Sequence, residues 1–147
     1  LEKLKEEILR SKRYKHALSA ILLDIDEFRR INDLLSHKVG DKVLTIIVKI
    51  IKKTIRNVDI LSRYSGDRFL LILPNTNKRE AMELAERLRN NVHERTKRLE
   101  GLSGGVTITL SVGQCGKEDS SNGFLKRLES ALLEGKKKGR NSVYALS

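Results

Sequence analysis

Apolar positions along the chain fall into short continuous runs and longer helical stripes. Ser19-Ala20-Ile21-Leu22-Leu23 is an apolar run that opens onto Asp24-Ile25-Asp26. It predicts a buried strand that delivers carboxylates at its C-terminal end. Before it, residues 1–17 are largely polar and charged, with Leu1, Leu4 and Ile8 at helical spacing. So thin a stripe buries little alone, which predicts the end of a longer connecting helix. Residues 27–35 read as a short helix, and residues 41–55 as a strong one whose wide apolar face is Val43, Leu44, Ile47, Ile50, Ile51 and Ile55. Residues 59–64 and 69–73 then flank Ser65-Gly66-Asp67-Arg68, the pattern of a hairpin with a turn at its tip.

Pro74 ends the second hairpin strand, and Asn77 with Glu80 has capping-box spacing ahead of a helix with core face Ala81, Leu84, Ala85, Leu88 and Val92. Residues 95–105 form a polar, Gly-ended connection. Residues 106–115 alternate as a strand, and Phe124, Leu125, Leu128, Ala131 and Leu132 mark a last amphipathic helix. Residues 142–146 suit a closing strand. There is no internal repeat or low-complexity tract. Strands interleaved with helices predict an α/β or α+β architecture with helices covering a central sheet.

The 147 residues suit one domain over 18–147, with 1–17 as the end of a linker or stalk helix. No apolar run approaches the ~20 residues that cross a bilayer, so no direct membrane insertion is expected. No signal-peptide pattern opens the chain. Cys115 is the single cysteine, which excludes an intrachain disulfide and points to a reducing compartment, the cytosol, free or as part of a larger membrane-attached protein. The net charge of +11 favours anionic partners, although a solvated Lys/Glu/Arg surface gives the same excess. Aromatic residues are only 4% and scattered, which argues against a stacking platform for single-stranded nucleic acid. No nucleic-acid partner is expected.

Four motifs in register carry the chemistry. Residues 23–33 (Leu-Asp-Ile-Asp-Glu-Phe-Arg-Arg-Ile-Asn-Asp), followed by His37 and Gly40-Asp41, form the first. Arg63-Tyr64-Ser65-Gly66-Asp67-Arg68-Phe69 forms the second, and Thr109-Leu110-Ser111-Val112-Gly113 and Gly135-Lys136-Lys137-Lys138-Gly139-Arg140-Asn141 form the others. Their order and spacing, from about Ala20 to Val143, resemble those of GGDEF domains. The resemblance implies a nucleotidyl cyclase-like fold, with a five-stranded, largely antiparallel sheet surrounded by helices. Active members are diguanylate cyclases, in which two domains face each other as a homodimer. The 3′-hydroxyl of each GTP attacks the α-phosphate of the other, giving cyclic di-GMP and two pyrophosphates.

On the residues alone, Asp24 and Asp67 read as a strand-end cap and a turn residue as readily as metal ligands. The resemblance makes them, with the main-chain carbonyl of Ile25, ligands of Mg²⁺ or Mn²⁺, hard ions that take oxygen donors and serve phosphoryl transfer. It places Asn32 and Asp41 on the guanine edge, where an amide and a carboxylate match a donor and acceptor pattern that adenine lacks. Both residues also suit helix caps. It places Phe28, Arg29 and His37 along the sugar and phosphates, Gly66 where backbone approaches phosphate, and Lys136 and Arg140, four apart on the last helix, as the triphosphate clamp. Arg56-x-x-Asp59 stands five residues before the hairpin motif, and Arg87 lies on the following helix. Two guanidiniums and a carboxylate there match the family's inhibitory site for its product, cyclic di-GMP. Alone, Arg-x-x-Asp reads as a local helix-end ion pair.

Several positions depart from the family. Ser36 and Ser65 stand for Gly, Arg29 for Lys, and Glu129, Leu133 and Gly135 for Asp, Tyr and Ala. Arg68 stands where the family carries Glu beside the metal-binding acid, a change of two charge units at a catalytic position. Unit charges ~4 Å apart interact by ~1 kcal/mol in water and ~4 kcal/mol at an effective dielectric of 20. These positions predict a weakened diguanylate cyclase with product feedback at Arg56, Asp59 and Arg87. The alternative is a catalytically silent cyclic di-GMP receptor or a GTP-binding regulatory or interaction module. An upstream sensory or receiver domain is expected in either case.

Overall fold

The computed structural model describes residues 1–99, 101–102 and 104–146. The elements, in chain order, are α1 (Glu2–Tyr14), β1 (Leu18–Ile25), α2 (Phe28–Leu34), α3 (His37–Thr54), β2 (Ile60–Ser65), β3 (Arg68–Pro74), α4 (Lys78–Thr96), β4 (Ile108–Gln114), α5 (Ser121–Lys138) and β5 (Val143–Ala145). The five strands form one sheet in the order β2-β3-β1-β4-β5, antiparallel except for the β4–β5 pair. This is the five-stranded, largely antiparallel sheet that the motifs implied.

β1 is the central strand and all eight of its residues are buried. Its side chains alternate between two cores, as strand geometry requires. Ile21, Leu23 and Ile25 join Ile47 and Ile51 of α3 and Leu88 and Val92 of α4 on one face. Leu18, Ala20 and Leu22 join Phe124, Leu128 and Leu132 of α5 on the other, together with Leu4 and Ile8 of α1. Leu4 is 0% exposed. The thin stripe of the first helix is therefore seated against the sheet and α5. No helix among the described residues is long and apolar enough to cross a membrane.

Element ends differ from the sequence expectation for local reasons. α3 begins at His37, four residues ahead of Asp41, because the Ser36 side chain accepts a hydrogen bond from Val39 N–H and caps it. Ser36 lies in extended backbone open to any residue, so Gly is not needed there. α4 begins at the expected capping box, with Asn77 and Glu80 bonding reciprocally. α5 ends at Lys138, and Gly139, Arg140 and Asn141 follow with φ of 139°, 53° and 44°. Arg140 is therefore beyond the last helix and not four residues along it from Lys136, which corrects the expected placement.

Candidate nucleotide site

The hairpin tip and the end of β1 meet. Cα register pairs Asp24 with Arg68, and Ile25 N–H donates to the Asp67 carbonyl at 3.1 Å. Asp24 is 2% exposed. As an even-numbered residue of β1 it faces α5, whose Lys136 Nζ ion-pairs with Asp24 Oδ2. Arg68 Nε reaches the same oxygen at 3.2 Å. Burial pushes the Asp24 carboxyl above its ordinary value against the pull of Lys136, and the adjoining Asp67 carboxyl pushes the same way. The two acids that the sequence placed far apart are thus neighbours.

The tip itself is braced. Arg63 Nη2 donates to the Gly66 carbonyl at 2.6 Å, and Tyr64 Oη donates to Glu129 Oε1 at 2.6 Å, tying the hairpin to α5. A Cβ at Gly66 would meet nothing within 4 Å. No described chain atom demands glycine there, and its backbone faces open space. Ser65 lies outside the left-handed region, so its exchange for glycine carries no backbone strain.

Next to the acids, α2 and the first turn of α3 are pressed together through Gly40. A Cβ there would overlap Asn32 Oδ1 and touch Phe28 Cζ at 3.4 Å. Asn32 Oδ1 is buried without a hydrogen-bond partner among the described residues. Such an atom costs free energy unless something bonds it. Asp41 follows Gly40 directly and is exposed, as are His37 and Arg29. Phe28 is half-buried against the α3 and α4 core. Arg140 Nη1 lies 4.0 Å from Glu27 Oε1, away from Asp24. Lys136 and Arg140 therefore reach different acids.

Asp26 has a role that the sequence reading did not assign. It is 6% exposed and accepts hydrogen bonds from Thr107 Oγ1 and Thr109 Oγ1, both at 2.7 Å, and from Asn141 N–H at 3.0 Å. Three donors satisfy the buried carboxylate, which fastens β1 to β4 and to the turn carrying Arg140. The Thr-x-Thr pair on an inward-facing strand was the only available signal. Gly40 stood in the first motif, and its seating of Asn32 became visible only with the α3 start at His37.

Does this site fit the divalent ion that the resemblance implies? Asp24 Oδ1 is buried and without a partner among the described residues, as a ligand atom would be. Oδ2, however, is held by Arg68 and Lys136, so an ion on Asp24, Asp67 and the Ile25 carbonyl would meet two cations at one of its ligands. As built, the residues do not fit a divalent ion.

The opposite end of β3 carries the second group of candidate residues. Arg56 and Asp59, in the loop after α3, and Arg87 on α4 line one pocket of about 250 Å³ with Thr54, Thr76 and Glu80. Asp59 receives Arg56 Nη2 at 2.9 Å and Arg56 backbone N–H at 2.8 Å. Arg56 Nη2 also donates to the Pro74 carbonyl and Thr76 Oγ1. The local ion pair is real: it covers the Asp59 side chain, which is 2% exposed, and leaves Arg56 lining a pocket shared with the exposed Arg87. At ~3.4 Å per residue, the length of β3 separates the two sites by roughly 20 Å.

The family model described as diguanylate cyclase, GGDEF domain matches residues 1–142. Diguanylate cyclase A of Treponema denticola is 40% identical over 130 residues, 88% of this chain and 35% of that protein. Response regulator PleD of Caulobacter vibrioides is 33% identical over 86% of this chain and 28% of its own length. The chain thus spans about a third of the curated relatives it matches. The active GGEEF domain of a diguanylate cyclase from Vibrio cholerae superposes with a TM-score of 0.92 at 28% identity, covering 99% of this chain and 93% of that one. The four motifs, the sheet order and these matches agree: the chain belongs to the GGDEF domain family.

Proposed function

We propose that this chain is a guanine-nucleotide-binding domain of cyclic di-GMP signalling, holding cyclic di-GMP at Arg56, Asp59 and Arg87 and GTP beside Asp24 and Asp67, with cyclase turnover blocked by Arg68. The observation that carries the reading is the pocket that gathers Arg56, Asp59 and Arg87 from two elements. Two guanidiniums grip phosphate or the guanine carbonyl, and the Asp59 carboxylate, with both oxygens on Arg56, orients the first of them. In the GTP site, Asn32 Oδ1 lacks a partner among the described residues and Asp41 follows Gly40, the glycine that seats Asn32. Both offer acceptors to guanine N–H groups. Lys136, Arg140, Arg29 and His37 supply positive charge or donors for phosphate. The domain would work in the cytoplasm under an upstream sensory or receiver partner, as the name of the relative Response regulator PleD suggests. Turnover would need a homodimer.

Calorimetric titration of cyclic di-GMP tests the reading. The wild type should bind, and Arg56→Ala or Arg87→Ala should weaken binding by about tenfold or more, ~1.4 kcal/mol each. A wild type silent at tens of micromolar would refute it.

A slow cyclase is the second reading, favoured by the meeting of Asp24 and Asp67. It requires Arg68 to leave Asp24, and the Arg68 side chain is 32% exposed, enough to reach solvent. Turnover of GTP beside an Arg68→Glu variant decides it. A large gain in the variant over a slow wild type supports the reading, and no product from either removes it.

A further inference from the structure

We infer that Arg68 and Lys136 stand in for the divalent cation in this chain's GTP site, so that GTP binds there without a metal; this rests on the GTP reading above. With an acid at position 68, Asp24, Asp67 and that acid would face Lys136 alone, leaving two surplus negative charges for a divalent ion to match. The arginine shifts the balance by two units the other way. Two carboxylates now face two cations, and both cations converge on Asp24 Oδ2. An incoming metal would have to displace both from that oxygen and sit beside two fixed positive charges.

The cations are also placed to take over the metal's part in phosphate binding. Register across the β1–β3 ladder fixes Arg68 opposite Asp24, so its position is set by the sheet and not by a mobile loop. Asp24 engages Arg68 through Nε, and the terminal N–H groups remain as a two-toothed grip for phosphate oxygens. The side chains of Arg68 and Lys136 are 32% and 22% exposed, so both reach the solvent from which nucleotide arrives. The guanidinium keeps its charge at any working pH.

The test is calorimetry of GTP into the wild-type domain, once in EDTA and once in Mg²⁺. Dissociation constants should agree within about threefold. The Arg68→Glu variant should bind GTP in Mg²⁺ and lose about tenfold or more in EDTA. Lys136→Met, checked for folding by circular dichroism, should weaken binding in EDTA, and an unchanged affinity would count against the inference. A wild type that binds only in Mg²⁺ overturns the inference and leaves the GTP pocket standing. Binding in neither buffer overturns the pocket, and the inference with it.

Discussion

Asp24 shows how one residue can be legible in role and illegible in partners. Its place at the end of an apolar run marked it as a buried carboxylate, but only the sheet register revealed that Arg68 would lie across from it. Neighbouring Asp26, to which the sequence assigned no role, is a fastener. Asp26→Asn should cost about 2 kcal/mol by urea denaturation, because three donors lose a charged acceptor. A change below a few tenths would contradict that role. Gly135 stands where the family has Ala, and a Cβ there would overlap the Tyr144 ring. Gly135→Ala gains ~1 kcal/mol of helix propensity but overpacks by ~1–3 kcal/mol. The net expectation is a loss of about 1 kcal/mol in the same assay. Gly66→Ala should leave stability unchanged and weaken GTP binding, since only a ligand needs that space.

Among elements, the helices and strands of the core were legible because their apolar periods are strong, and the Asn77–Glu80 box set the α4 start. The α3 start was not, because Ser36 caps a turn whose His37, Lys38 and Gly40 carry no apolar stripe. The end of α5 was missed for a related reason. The run Lys136 to Arg140 is equally hydrophilic in and out of a helix, and the positive φ at Gly139 ends it. α1 presents only Leu4 and Ile8, yet both are buried against Leu18, Leu22 and Phe124. Leu4→Ala should therefore cost ~2–5 kcal/mol in thermal or urea unfolding. An unaffected midpoint would mean that α1 is a detached stalk.

At the scale of the whole molecule, β3 joins the two groups of candidate residues, with Arg68 at one end beside Asp24 and Pro74 at the other beside Arg56. Sequence spacing could name both groups of residues through the family resemblance. It could not show that the first acid is already neutralised from within, because that depends on α5 delivering Lys136 to the same oxygen. The most direct test of the two-site account is amide chemical-shift mapping with GTP and cyclic di-GMP added separately. GTP should perturb residues around Asp24, Asn32 and Asp67, and cyclic di-GMP those around Arg56, Asp59 and Arg87. Overlapping footprints, or none from either ligand, would contradict it.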